Sequence, residues 1–154
     1  LDRNGTSERQ RPAPRVLATH SAVDGASLDQ MSWRIGDYGF QMTLSQEVPR
    51  TLGRSGPAFV SALLEMAGLT LSDGPFRWAI HPGGRRIVEA LAETFHLDDV
   101  DVAPSFDVLR RYGNMSSATL GFVLDAVGEI RQPTIALGFG LGLTMEGLVL
   151  VPGW

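Results

Sequence analysis

The chain closes on two apolar runs, residues 133–139 and 143–151, separated only by Gly140-Leu141-Gly142. Two strands joined by so short a glycine-rich link read as a hairpin. A sheet is therefore present, and the helical segments must pack on it. Upstream, residues 16–23 have strand character, and 31–35 and 40–44 read as shorter strands around a turn at Gly36-Asp37. A helical start at 49–52 is interrupted or kinked across Gly53 to Pro57. Val60, Leu63, Leu64 and Ala67 then recur at helical spacing and predict an amphipathic helix over 57–68, with Gly68 as its C-terminal cap. A short strand over 76–80 leads into a helix with Ile87, Val88, Leu91 and Phe95 on one face. Residues 105–112 read as a short helix capped by Ser105 and ended at Gly113. Ser116 or Ser117 opens another, with Leu120, Val123, Leu124 and Val127 as its apolar face. Three strands, a helix, a strand, three helices and two strands, in that order, predict a mixed α/β layer with helices packed on a sheet.

A length of 154 residues predicts one compact domain. Residues 1–15, with two prolines and four arginines, read as a polar linker or tail, leaving 16–154 as the domain. The chain has no cysteine, which excludes disulfides, zinc-thiolate sites and thiol catalysis within it. All thirteen basic residues are arginine, so neither a Schiff-base lysine nor a P-loop is available. A net charge of −4 argues against a nucleic-acid partner. No apolar run reaches the ~18 residues of a membrane span, and the first fifteen residues lack the apolar core of a signal peptide. A cytoplasmic protein is expected. The start at Leu1 rather than Met fits a piece of something longer.

Three loops could carry chemistry, each polar or glycine-rich and each at a strand end or helix start, where α/β sheets usually form sites. In Trp78-Ala79-Ile80-His81-Pro82-Gly83-Gly84, the histidine leaves a buried strand and the two glycines admit close backbone approach. His81 can donate to a developing oxyanion or pair with a thiolate. It can equally be a satisfied structural histidine. In Tyr112-Gly113-Asn114-Met115-Ser116-Ser117, Asn114 precedes a helix N-terminus, and its amide can donate to an oxyanion. A plain turn asparagine is the alternative. Asn114-Met115-Ser116 also matches a glycosylation sequence, an accident in a chain without a signal peptide. Gly138-Phe139-Gly140-Leu141-Gly142-Leu143-Thr144 lies between strands, so it fails as a dinucleotide fingerprint, and a tight hairpin is the simpler account. His20 sits in a strand and His96 near a helix end. No pair has metal-ligand spacing, so no metal is expected, and the acidic run at 98–101 reads as solvated surface.

Taken together, these three motifs, in this order and spacing, resemble the type III polyketide synthases, the chalcone and stilbene synthase family. Residues 31–45, followed by Val48-Pro49, are similar to bacterial members in particular. The resemblance covers about residues 16–151. It implies the C-terminal half of a thiolase-like fold, a mixed sheet with packed helices. It also implies two of three catalytic residues, His81 and Asn114. The third, a cysteine, belongs to the first half of the enzyme. The reaction implied is decarboxylative condensation of malonyl-CoA onto an acyl-cysteine, with coenzyme A thioesters as substrates and no separate cofactor.

By the same resemblance, Met42 stands where the family has a gatekeeper phenylalanine, and Ser116 is a pocket residue. Gly138, Phe139, Gly140, Leu141 and Gly142 match the loop that lines the cyclisation cavity, with Leu141 replacing its proline. Gly83, Gly84 and Arg86 fall near the coenzyme A entrance. The expected partners are an acyl-CoA starter, malonyl-CoA, the N-terminal half and, at full length, a second copy. The chain alone is expected to be inactive and to self-associate through an apolar face of the helix over 116–128. A non-catalytic thiolase-like binding module, and a related ketoacyl synthase, are the competing readings.

Overall fold

A computed structural model describes residues 13–153 of the chain. The elements are β1 (Arg15–Val23), β2 (Met31–Gly36), β3 (Gly39–Leu44), α1 (Val48–Met66), β4 (Arg77–Ile80), α2 (Arg85–Phe95), α3 (Asp99–Tyr112), α4 (Ala118–Val127), β5 (Thr134–Gly140) and β6 (Thr144–Val151). One sheet has the order β1-β6-β5-β4. The β5–β6 hairpin is antiparallel as expected, β1 adds antiparallel to β6, and β4 lies parallel to β5. The expected glycine turn between β5 and β6 is a single 3-10 turn over Leu141–Leu143. The second hairpin, β2–β3, stands apart from the sheet.

Strand alternation divides the core in two. Trp78, Ile80, Ile135, Leu137, Met145 and Val149 pack with Leu52, Val60, Leu63, Leu64, Ile87, Val88 and Leu91 of α1 and α2. Ala79 and Ala136 face the other way, against Val123 and Val127 of α4 and Val108 of α3. Helices thus cover both faces, and α3 also runs beside β4, the end strand.

Three local expectations need correction. First, α1 runs unbroken from Val48 to Met66 through Gly53, Gly56 and Pro57. The glycines serve packing: a Cβ on Gly56 would meet Leu91 at 3.4 Å, and one on Gly53 would meet Thr94 at 3.1 Å, so they let α1 and α2 approach closely. Pro57 is exposed, so the carbonyl it leaves unpaired can be solvated. Second, α3 begins at Asp99, not Ser105. Its cap is Asp98, which forms a reciprocal capping box with Asp101. The acidic run is thus exposed in part but also starts a helix. Third, the apolar face of α4 is not open. Val123 and Val127 are buried and Leu120 and Leu124 half-buried. The β2–β3 hairpin instead carries a concentration of exposed apolar side chains, with Ile35 84%, Tyr38 101% and Phe40 69% accessible. Of the expected tail, residues 1–12 lie outside the described residues, and Arg15 already belongs to β1, paired with Val151.

Candidate active site

The site forms where β4 and β5 end. His81 follows directly on β4, and its backbone N–H bonds to Leu137 O at 2.8 Å, so the sheet ladder extends to it. In the alternation along β4, position 81 falls on the side of Ala79, the side that carries α4. The residue is 7% accessible. Burial removes water from the ring and pushes its pKa below the ordinary histidine value. In this chain the imidazole is thus biased to the neutral form, which still carries one N–H donor.

Asn114 sits in the loop between α3 and α4, after Gly113 at φ +70°. Its Oδ1 accepts from Ser116 N–H at 2.9 Å, and its Nδ2 donates to Gly83 O at 3.2 Å. These two bonds fix which end of the amide is which. One N–H of Nδ2 is used by Gly83, and the second remains for a ligand. Ser116 takes the left-handed conformation at φ +60°, which closes this turn.

Gly83 links the two donors. Its carbonyl holds Asn114, and a Cβ built on it would lie 3.7 Å from His81 Nε2 and 3.0 Å from Ile87. A side chain at 83 would press on the end of Ile87, while its distance to the imidazole is ordinary van der Waals contact. His81, Gly83 and Asn114 all line a single cavity of about 540 Å³.

The same cavity takes in Met42, Ser116, Gly138, Phe139, Gly140 and Leu141. Gly142 does not border it. At φ +68° it turns the chain, and the space beside it faces Leu28 and Val23. Gly84 and Arg86 line a neighbouring cavity of about 260 Å³ with Arg85, Ser45 and Pro49; Leu44 and Ile87 border both. Arg85 is engaged by Glu89 at 2.6 Å and lies over the Phe106 ring. Arg86 forms no ion pair among the described residues.

Sequence reasoning did not find Trp33, Leu120 or Glu146, which also line the larger cavity. Glu146 stands opposite Gly138 in the β5–β6 register and takes a hydrogen bond from Ser21 of β1. The hairpin register was the signal that could have found it. Trp33 pairs with Met42 across β2–β3, and its place depends on how that hairpin docks. Among the described residues no cluster of three or more His, Cys, Asp or Glu could hold a metal ion. Among them, too, no helix is long and apolar enough to cross a membrane. Two potential donors lining one largely apolar cavity can stabilise a negative oxygen, but no thiol is present to carry an acyl group.

The family model for chalcone and stilbene synthases, C-terminal domain, matches residues 17–152. "Probable polyketide synthase 1" of Dictyostelium discoideum is 34% identical over 127 residues, covering 78% of this chain and 4% of that protein. The alpha-pyrone synthesis polyketide synthase-like Pks18 of Mycobacterium tuberculosis is 34% identical over 117 residues, 72% of this chain and 30% of that protein. Among solved structures, the C-terminal type III polyketide synthase domain of Steely1, a type I/III hybrid from Dictyostelium, superposes with a TM-score of 0.84 at 28% identity. It covers 96% of this chain and 43% of that one. The chain thus spans no more than 30% of the length of these two curated relatives.

Proposed function

From the premise that the chain belongs to the chalcone and stilbene synthases, as their C-terminal domain, we propose that His81 and Asn114 form the oxyanion hole of a polyketide-forming acyltransferase. The fold is the expected thiolase-like one, a mixed sheet with packed helices. In the proposed reaction a cysteine thiolate of the first half carries the starter acyl group. Malonyl-CoA enters with its thioester oxygen toward His81 Nε2–H and the free N–H of Asn114. Carbon dioxide leaves, and the pair of electrons from the broken C–C bond becomes an enolate whose oxygen the two donors hold. The enolate carbon attacks the acyl carbonyl, a C–C bond forms, and the thiolate departs. Before acylation the thiolate favours the charged imidazole, against the burial of His81.

The observation that carries this reading is the orientation of Asn114. Its amide is locked by Ser116 N–H and Gly83 O in the cavity that His81 also lines. Arg86, without an ion pair beside the second cavity, supports a route for coenzyme A phosphates there. Met42, Ser116 and the Gly138–Leu141 segment would shape the product cavity. The bare β2–β3 hairpin supports a missing partner surface, the first half or a second copy. Coenzyme A substrates fit a cytoplasmic setting. A particular likeness to bacterial members of the family is the finer part of the proposal. The mycobacterial relative supports it, and the Dictyostelium relative is equally identical.

The test uses the enzyme in which this chain is joined to its cysteine-bearing half. Asn114→Ala or His81→Ala is expected to lower malonyl-CoA decarboxylation by ~10²–10³. Rates within about twofold of wild type for both variants would overturn the assignment.

A further inference from the structure

Two fully buried hydroxyls each hold the backbone one residue away from a donor. Ser105 of α3 donates through Oγ to Ile80 O at 2.7 Å and accepts from Ile80 N–H at 3.2 Å. Ile80 is the last residue of β4 and His81 the next. Because β4 is the end strand, with β5 on one side only, the Ile80 amide and carbonyl have no strand partner, and one hydroxyl serves both. Thr119, in the first turn of α4, accepts from Met115 N–H at 2.7 Å, and Met115 follows Asn114. The two hydroxyls sit on α3 and α4, which pack against each other.

We propose that Ser105 and Thr119 are positioning residues that together set the separation of the His81 and Asn114 donors. The role rests on the oxyanion reading above. Neither hydroxyl touches the reacting atoms. Ser105 fixes two backbone groups of Ile80 that would otherwise be buried and unpaired, and Thr119 fixes a part-buried one; such groups find other partners most readily by shifting the chain. A shift at Ile80 carries His81 with it, and one at Met115 carries Asn114. Donation to an enolate oxygen falls steeply when either nitrogen leaves hydrogen-bond range, whereas substrate binding depends on the whole cavity.

The test measures malonyl-CoA decarboxylation by the joined enzyme and its Ser105→Ala, Ser105→Thr, Thr119→Val and Thr119→Ser variants. Loss of the hydroxyl is expected to lower kcat roughly 10- to 100-fold while KM stays within about twofold. Thr at 105 and Ser at 119 keep the hydroxyl and are expected to restore most of the rate. A purely structural role would lower the unfolding midpoint and leave the kcat of the folded fraction intact, and that result overturns the proposal. If Ser105→Ala does not fold, the Val and Ser variants at 119 decide the matter alone. An inactive wild type would overturn the oxyanion reading and this role with it. An active wild type with full-rate Ala and Val variants would overturn this role only.

Discussion

His81 would couple the proposed chemistry to the stability of the chain. Burial lowers its pKa, so the folded chain holds that proton less tightly than the unfolded one. Its contribution to stability is full above the unfolded histidine value, about 6.5, and is lost as pH falls through the window between that value and the lower folded one. The urea midpoint of the wild type is therefore expected to fall more between pH 7.5 and 5.5 than that of His81→Gln. Parallel pH profiles for the two would contradict the burial argument. At this scale the sequence was informative where a side chain makes its own case. His81 and Asn114 stood out as candidates because their motifs name them. Ser105 was misread as a cap because a serine before an apolar run looks the same whether it bonds its own helix or a neighbouring strand end. Gly142 was assigned to the cavity with its neighbours, yet its positive φ turns the chain and it lines nothing there.

Between elements, close approach decides which glycines matter. A Cβ on Gly147 of β6 would come within 2.8 Å of both Leu63 and Phe59 of α1. Gly147→Ala is expected to cost ~1–3 kcal/mol by overpacking. Gly121 in α4 has nothing within 4 Å of such a Cβ, and Gly121→Ala is expected to gain about 0.5–1 kcal/mol from helix propensity. A urea midpoint for Gly147→Ala equal to or above that of the wild type would contradict this account of the α1–β6 contact. The same physics explains what the sequence hid. Gly53 and Gly56 read as a helix break because glycine is a poor helix former, but here the missing side chains seat α2. Asp98 and Asp101 form a capping box from two aspartates, a weaker signal than serine followed by glutamate, so α3 lost its first turns to a supposed surface run.

At the scale of the whole molecule, the core is closed but the site is not. Helices cover both faces of the sheet, whereas the hairpin that walls the cavity presents Trp33, Ile35, Tyr38 and Phe40 to solvent. The sequence of strands and helices could be read from periodicity, though which strands share a sheet could not. The docking of this hairpin could not, because both of its faces carry apolar residues and alternation gives no inside. The chain alone is expected to self-associate through the hairpin and to bind an apolar dye. Replacing Ile35 and Phe40 with arginine should reduce both signals in light scattering and fluorescence, and unchanged association would locate the sticky surface elsewhere. The isolated chain is also expected to condense no malonyl-CoA, since it holds no cysteine.

The most direct measurement is a crystal structure of the joined enzyme with a non-reactive malonyl-CoA analogue. The thioester oxygen is expected within about 2.7–3.1 Å of both His81 Nε2 and Asn114 Nδ2. An oxygen bound by neither nitrogen, or by one with the other turned away, would contradict the account.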